Sequence, residues 1–215
     1  DMMFTISRDK KVHFDMEGSY HDREMNLVFT DVFVDIPALS FLVDPELVSI
    51  YRGSLAGNLV LSGLISDPSF DGALEVTGLE VNSPQFIPDH IEADSIVATL
   101  AQNRIEIPET YFYVKDSTLM ADAEAELDRW QLDVIRAHLY SGKDKGLPID
   151  IKNPLARIRG RTTLDTRLML QDGTLSVEGS VALSNAEVSV MDGLANFDFS
   201  SVFVGLKSRS GKEKA

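Results

Sequence analysis

One alternating stretch decides the fold of this chain: Gly72-Ala-Leu-Glu-Val-Thr-Gly-Leu-Glu-Val81. Side chains along a β-strand point to its two faces in turn, so Leu74 and Val76 share one face and Glu75 lies on the other. Gly78 breaks this phase, because the apolar set continues after it one residue out of step. An isolated glycine at a phase slip is typical of a β-bulge. The stretch therefore predicts a bulged strand with one apolar face.

The same period-two alternation recurs in both directions along the chain. Asp172-Gly173 lies between two alternating runs and is a strong signal for a β-hairpin, and a tight turn is expected near Gln102-Asn103. These patterns predict an all-β chain of antiparallel strands. Other alternating apolar sets are Leu59 and Leu61; Ile96, Ala98 and Leu100; Ile105 and Ile107; Leu168 and Leu170; Leu175 and Val177; and Val181, Leu183, Val188 and Val190.

In segment 118–127, residue propensity and pattern disagree. The segment is rich in Ala, Glu and Leu, which favour a helix. Its apolar residues nevertheless alternate strictly with carboxylates, which a helix would scatter around its circumference and a strand places on one side. We therefore expect a strand with an acidic outer face. The carboxylates are Asp122, Glu124 and Glu126, and Asp128 continues the series just after the segment.

Two stretches match at an offset of 107 residues, 70–81 and 177–188. Both begin with an acid-Gly pair, and the phase break at Gly78 is answered by Asn185. Gly and Asn adopt positive φ most readily, so both copies are predicted to form the same bulge.

The match extends upstream, where Leu59-Val-Leu61 aligns with Leu168-Met-Leu170 if two residues are lost. Such a repeat favours units stacked along a sheet over a closed globule. Convergent strand–turn–strand chemistry is the alternative explanation.

A short helical stretch is expected over residues 36–51, where leucines recur at roughly helical spacing. Pro37 suits the first turn of a helix. Pro45 either interrupts the helix or starts a second one after Asp44.

Three regions follow from these patterns. Residues 1–52 hold N-terminal strands and the helical segment, and residues 53–191 hold the repeated sheet. Residues 192–215 hold a terminal strand and a polar, basic tail, 207–215, that we expect to be disordered.

Composition excludes several kinds of function. The 34 acidic residues outnumber the 20 basic ones, and the net charge of −14 repels nucleic acid and anionic head groups. No cysteine is present, which excludes disulfides, thiolate catalysis and Cys-ligated zinc. The sequence has no run of about eighteen apolar residues, so no membrane-spanning helix is predicted. Residues 1–11 lack the layout of a signal peptide. We expect the chain to be a piece of a longer protein.

No catalytic site, metal site or cofactor site is expected. The four histidines lack the spacing of metal ligands and are expected at solvated positions. Along a strand, each of the four carboxylates from Asp122 to Asp128 lies about 7 Å from the next, too far for shared coordination, so they are expected to form a solubilising face. A basic cluster at Arg157-Ile-Arg-Gly-Arg161 suits either a phosphate head group or, more simply, a strand face with alternating charge.

The apolar face is the informative feature of the sequence. It is either the core of a closed sandwich covered by a second sheet or an open surface for apolar ligands. Its positions are mostly aliphatic, and only 8% of the residues are aromatic, which favours a smooth open surface. The residues expected to line the groove are Leu59, Leu61, Leu74, Val76, Leu100, Ile105, Ile107, Leu168, Leu170, Val177, Val181 and Leu183.

A family resemblance supports the open surface. The phrase Gly53-Ser-Leu-Ala-Gly-Asn-Leu-Val-Leu-Ser-Gly-Leu-Ile-Ser-Asp-Pro-Ser-Phe-Asp-Gly72 resembles the recurrent unit of TamB and the wider AsmA-like group: a strand, Gly, Asp-Pro, an apolar residue, x-Gly and a strand. Gly146-Leu-Pro-Ile-Asp-Ile151 and the stretch 164–190 are similar to the same unit. The resemblance covers residues 53–191.

The resemblance implies both a fold and a role. The fold is an elongated, twisted antiparallel sheet, curved into a U-shaped, taco-like groove with an apolar interior. Proteins of this group are anchored in the inner membrane and cross the periplasm. They are implicated in carrying phospholipids toward the outer membrane and in assembling outer-membrane β-barrel proteins with a BamA/TamA-type partner. Neither the anchor nor the partner-binding end is recognisable in this sequence.

Three functions remain as hypotheses. The first is a conduit for phospholipid acyl chains. The second is a chaperone-like scaffold that offers sheet edges to unfolded barrel strands by β-augmentation. The third is a closed, cell-surface β-sandwich repeat.

Overall fold

The computed structural model describes residues 2–8, 11–142, 145–153, 155–190 and 195–210. Within these ranges the chain forms a single thirteen-stranded antiparallel sheet and one 3₁₀ helix, Ile36–Leu42, which confirms the all-β prediction. The strands are β1 (Met2–Arg8), β2 (Val12–His21), β3 (Glu24–Asp35), β4 (Ser49–Leu64), β5 (Asp67–Ser83), β6 (Ile87–Ala101), β7 (Arg104–Val114), β8 (Ser117–Asp128), β9 (Gln131–Ser141), β10 (Leu147–Asn153), β11 (Ala156–Gln171), β12 (Thr174–Val190) and β13 (Ala195–Ser210).

The strands follow one another across the sheet almost in chain order. β1 to β9 are consecutive neighbours, and β11, β12 and β13 follow β9. β9 pairs with residues 165–171 of β11, and β10 pairs with residues 156–162 of the same strand. β9 and β10 therefore lie one after the other along one edge of β11. The described sheet is open, with β1 and β13 as its two edges.

The β4–β5 and β11–β12 hairpins are copies of each other, as the repeat predicts. Gly78 has φ 59° and Asn185 has φ 49°, so both take the left-handed conformation expected of them. The β4–β5 ladder shifts its register opposite Gly78, and the β11–β12 ladder shifts opposite Asn185. Each hairpin is thus bulged at the same place in its sequence.

The upstream alignment with two lost residues is wrong. Gly72 lies opposite Leu59, and its counterpart Gly179 lies opposite Thr166. Leu59 therefore corresponds to Thr166, and the offset of 107 continues through the first strand of each hairpin without a gap. The two Leu-x-Leu triplets resemble each other although they are displaced by two residues, because a period-two pattern repeats itself at that shift.

Close backbone approach explains why this register is the same in both copies. A Cβ atom on Gly72 would lie 2.3 Å from the carbonyl oxygen of Asn58, and one on Gly179 would lie 2.1 Å from that of Asp165. Real Cβ atoms do not come so close to backbone oxygen, so each position requires glycine. The acid-Gly pair that marks the repeat in the sequence therefore marks a contact between strands.

The helical segment is shorter than expected. The 3₁₀ helix has Pro37 in its first turn, as predicted, but it ends at Leu42. A separate turn occupies residues 45–47, and β4 begins at Ser49, so the stretch predicted over 36–51 is wrong beyond residue 42. The reason is that β5 offers backbone hydrogen-bond partners to the residues from Ser49 onward.

Two other expectations concern strands. Residues 118–127 lie within β8, which confirms that the alternating pattern outweighs the helical propensity of Ala and Glu. The expected disorder of 207–215 is wrong for its first part, because β13 continues through Ser210 and pairs there with Leu175 of β12. Residues 211–215 lie outside the described residues.

Several of the most buried side chains gather where the β7–β8 turn meets β10. Val114 is fully buried, and Leu147 and Ala93 are 2% exposed. The hydroxyl of Ser117 donates a hydrogen bond of 2.5 Å to the carbonyl of Gly146, just before β10. This end of the strands is therefore well packed, and Pro68 is buried at the opposite end.

β10 also narrows the sheet at this end. The N–H of Asp150 donates a hydrogen bond of 3.2 Å to the carbonyl of Phe86, next to the start of β6. At this end of the sheet, β10 is the one strand between β6 and β11. At the opposite end, three strands lie between β6 and β11, namely β7, β8 and β9. The sheet therefore tapers, and taper and bulges together bend it.

Candidate functional site

The strand registers define an apolar row that crosses the whole sheet. Directly opposed residues in antiparallel strands share a face, so the paired positions can be followed from β1 to β13. We call the resulting set the apolar row; it contains no ionisable side chain. Its members are Phe4, Met16, Phe29, Leu59, Gly72, Leu100, Ile105, Ala125, Ile135, Leu170, Leu175 and Ser210.

All twelve residues expected to line a groove lie on the face of the apolar row. Leu59, Leu100, Ile105 and Leu170 belong to the row itself. The other eight lie an even number of residues from it along β4, β5, β7, β11 or β12, with no bulge between. The registers thus bring residues more than 100 positions apart in the sequence onto one surface, which we call the trough.

The trough is not covered by another layer of the described chain. Leu170 is 37% exposed, and the other eleven predicted residues are half-buried rather than buried. The described residues form one sheet, so they do not contain the second sheet that a closed sandwich requires. The trough is therefore an apolar surface open to solvent.

Aromatic rings also lie in the trough, although they were not among the residues expected to line it. Phe14 and Phe29 pack with their ring centres 5.9 Å apart, Phe70 lies opposite Leu61, and Phe112 lies opposite Leu119. The expectation of smooth aliphatic walls is thus incomplete. Alternation could have found these phenylalanines, since each occupies an inward position of its strand.

Trp130 is a further residue that alternation could not find. It lies in the turn between β8 and β9. Its indole ring meets Phe70 edge to face, with ring centres 5.5 Å apart. Because Phe70 faces the trough, this contact places the indole on the apolar side of the sheet.

The opposite face carries the charges, as expected for the acidic segment. Glu124 accepts hydrogen bonds from Arg136 (2.9 Å) and from Arg104, and Arg136 also donates to Glu126 (2.9 Å). Hydrogen bonds from Arg136 and Arg104 lower the pKa of Glu124, and those to Glu126 and Glu124 raise the pKa of Arg136. These groups tie β7, β8 and β9 together on the polar face.

The next carboxylate of this segment is paired with a histidine. Asp122 lies 3.5 Å from Nδ1 of His138, and Asp165 lies 2.8 Å from Nε2 of the same ring. The ring stacks on Tyr140, with ring centres 4.7 Å apart. This arrangement links β8, β9 and β11 across the polar face.

The basic cluster at 157–161 is also part of the polar face. Arg157 makes two hydrogen bonds to Asp150, which lower the pKa of that carboxyl group. Arg161 bonds Asp116 at 2.6 Å, and Arg159 lies 3.7 Å from Asp150. The cluster therefore lies on a strand face with alternating charge, as expected.

The described residues contain no group of three or more His, Asp or Glu side chains that could hold a metal ion. His90 bonds Glu80 and stacks on Tyr51 with ring centres 5.0 Å apart, and His21 lies 2.9 Å from Asp22 in an exposed turn. His90 thus links β4, β5 and β6, and His21 contacts its neighbour at the end of β2.

Comparisons with known proteins add no family. No protein-family model, no curated protein and no solved structure matches the chain. The similarity to the TamB and AsmA-like group therefore rests on the sequence phrases alone. Among the described residues, no helix has the length and apolar character needed to cross a membrane.

Proposed function

We propose that this chain is a segment of a lipid-carrying protein whose trough shields phospholipid acyl chains from water. One observation carries the proposal: an uncovered apolar row that crosses twelve strands without an ionisable side chain. A monomeric protein rarely exposes so continuous an apolar surface without a partner for it. The charged face on the other side of the same sheet keeps the segment in solution.

Physical chemistry favours an acyl chain as the occupant. Transfer of a chain from water to an apolar surface is favourable by about 0.8 kcal/mol per CH₂ group. Contacts with leucine, isoleucine and alanine side chains are non-directional, so a lipid can move along the row without breaking fixed hydrogen bonds. Its head group stays in water along the open side. The proposal requires no catalytic residue, metal or cofactor.

The setting is proposed from the resemblance. In the TamB and AsmA-like group such sheets cross the periplasm, are anchored in the inner membrane and act with a BamA/TamA-type barrel protein. We propose the same location and partner for the protein to which this segment belongs, with transport of phospholipid toward the outer membrane. The strong negative charge of the segment fits a carrier that does not dock on anionic head groups through its polar face.

A second function is favoured by a different observation. β13 is a sixteen-residue edge strand with exposed apolar side chains, among them Phe199 and Phe203. A long apolar edge is a template for another strand, so a scaffold for unfolded barrel strands uses the edge and not the trough. This hypothesis predicts sensitivity to substitutions in β13 and indifference to charge in the trough.

Photo-crosslinking separates these functions. A photoreactive amino acid is placed at Leu61 or Leu170 in the trough, and at Glu75 or Glu178 on the polar face as controls. After irradiation in cells, attached phospholipid is sought by mass spectrometry. Lipid at the trough positions and not at the controls supports the carrier. Its absence at every position in well-expressed protein contradicts the carrier and favours the scaffold.

A further inference from the structure

The hairpin turns at one end of the sheet are tied together across the trough. Trp130 lies in the β8–β9 turn, and its indole N–H donates a hydrogen bond of 2.8 Å to the carbonyl of Ile65 in the β4–β5 turn. The N–H of Ile65 in turn donates to the carbonyl of Arg23, in the β2–β3 turn, at 2.9 Å. Three hairpins that are not all neighbours in the sheet therefore meet at Ile65.

This contact requires the sheet to curl. β6 and β7 lie between β5 and β8, and three spacings of about 4.8 Å separate strands in those positions by about 14 Å in a flat sheet. A tryptophan side chain covers only part of that distance. Because the indole also packs against Phe70, which faces the trough, the curl brings the apolar face to the inside.

Asn103 holds the β6–β7 turn, which comes between the β4–β5 and β8–β9 turns in the order of the sheet. Its side chain accepts a hydrogen bond from the N–H of Phe70 (2.8 Å) and donates one to the carbonyl of Pro68 (2.9 Å). These bonds continue the β5 ladder beyond the last residue of β6. The carbonyl of Asn103 accepts a hydrogen bond of 2.8 Å from Leu127 of β8. The turn is therefore fixed to the strands on both sides of it, and one of these bonds is to Phe70, which also contacts the indole.

We infer that Trp130 is a clasp that closes this end of the trough over an acyl chain and contacts the chain directly. The inference rests on the proposed function, since it names a residue of the same site. An indole suits the position, because its ring is apolar while its N–H has a polar partner, here the Ile65 carbonyl. Trp130 is 54% exposed, which leaves surface for an occupant.

Trp130 is the only tryptophan of the sequence, so its fluorescence reports on the clasp without labelling. The purified chain is incubated with vesicles of phosphatidylcholine that carries a dibromostearoyl chain, or with vesicles of the same lipid without bromine. The protein is then separated from the vesicles. Carried lipid is counted by mass spectrometry, and tryptophan emission is measured on the same sample. Bromine quenches tryptophan only at contact distance.

A matched variant moves the reporter to the polar face. In Trp130→Phe/Val97→Trp the new indole replaces Val97, which lies opposite Glu75 and faces away from the trough. Quenching of Trp130 by the brominated lipid, without quenching of the indole at position 97, is the expected result. Equal quenching at both positions overturns the clasp.

The two readouts separate the clasp from the proposed function. Carried lipid with unquenched Trp130 overturns the clasp and leaves the carrier standing. Absence of carried lipid overturns both.

Release rates give a second test. Trp130→Ala loses both the ring contact and the bond to Ile65, and is expected to release lipid to acceptor vesicles about two- to tenfold faster than the unchanged chain. Trp130→Phe keeps a ring against Phe70 and is expected to lie between them. Release from Trp130→Ala at the unchanged rate contradicts the clasp.

Discussion

Gly78 and Asn185 are 107 residues apart, and both take the left-handed backbone conformation at the bulge of their hairpin, with φ 59° and 49°. Each lies opposite a glycine, Gly53 or Gly160, which the same offset relates. A bulge turns the strand so that apolar residues on both sides of it face the trough, although their sequence positions differ in parity. The repeat therefore preserves the feature that keeps one face apolar along a strand of seventeen residues.

The bulge conformation can be tested by replacing Gly78 with the residue found at the equivalent position of the other copy, asparagine, or with valine. Gly78→Asn is expected to change stability by less than about 0.5 kcal/mol, because asparagine tolerates this conformation and a Cβ atom at position 78 meets nothing within 4 Å. Gly78→Val is expected to cost about 2 kcal/mol, since a β-branched residue is strained there. Urea unfolding measures both. Equal stability of the two variants would show that the positive φ is not required.

The close glycines predict a larger effect from a smaller change. Gly72→Ala and Gly179→Ala are each expected to destabilise the chain by about 2–3 kcal/mol, because the new methyl group collides with a backbone oxygen across the strand pair. Gly205→Ala in the edge strand is the matched control, since a Cβ atom there meets nothing within 4 Å. Urea midpoints of the three variants provide the comparison. A Gly72→Ala midpoint equal to that of the control contradicts the packing argument.

Much of this fold follows from period-two alternation alone. The pattern in segment 118–127 outweighed the helical propensity of its alanines, because burial of one face and exposure of the other decides conformation more strongly than intrinsic preference. The Asp172-Gly173 hairpin and the Gln102-Asn103 turn were also predictable, since positive φ at both turn positions needs such residues. Alternation likewise placed all twelve predicted residues on one face.

Features that join distant turns were not predictable. Trp130 contacts Ile65 only because the sheet curls, and curl arises from many strands together, so a local sequence pattern does not reveal it. The side chain of Asn103 supplies hydrogen-bond partners to β5 where the backbone of β6 has ended. No local sequence pattern predicts this role. The correct alignment of the two repeat copies could not be found from the alternation either, because a period-two pattern matches itself at any even shift.

Two neighbouring residues of β11 separate the roles of the two faces. Leu170 is 37% exposed and faces the trough, while Met169 is 38% exposed and faces the other way. Leu170→Arg is expected to lower the phospholipid carried by the chain about tenfold or more, since a guanidinium group in an apolar groove has no partner. Met169→Arg is expected to leave it unchanged. Both proteins should retain the β-sheet signal in circular dichroism.

The same pair decides between the carrier and the scaffold. Lipid is counted by mass spectrometry after incubation with vesicles, so the two variants differ only in the face that receives the charge. If both variants carry equal amounts of phospholipid, the trough is not the lipid-binding surface.

Acid should destabilise the chain through the ion pairs of the polar face. The pKa of Glu124 is lower in the folded chain than its ordinary value near 4.5, because Arg136 and Arg104 donate to its charged form. The folded state therefore binds this proton less readily than the unfolded state. The stabilisation is present above the unfolded pKa and is lost as pH falls through the folded one. Urea midpoints are expected to hold from pH 7 to about 5 and to fall below about pH 4.5.

Glu124→Gln tests this assignment. The variant is expected to be less stable than the unchanged chain at pH 7 and to lose less stability between pH 5 and pH 3. Glu178→Gln changes the net charge equally at an exposed position of the same face and serves as the control. If the two variants have the same acid slope, general charge repulsion and not the Glu124 network determines the response.

Asn103 should support both the stability of the sheet and the position of Trp130. Asn103→Gly retains a residue that accepts φ 66° but leaves the N–H of Phe70 and the carbonyl of Pro68 without their partner. We expect a loss of about 1–3 kcal/mol and a shift of Trp130 emission to longer wavelength, because the ring moves further into water. Gln102→Gly is the control, since it relieves a positive φ in the same turn and keeps both bonds. A shift in emission with no loss of stability would mean that Asn103 positions the indole without holding the sheet, whereas neither change would remove Asn103 from the closure of this end of the trough.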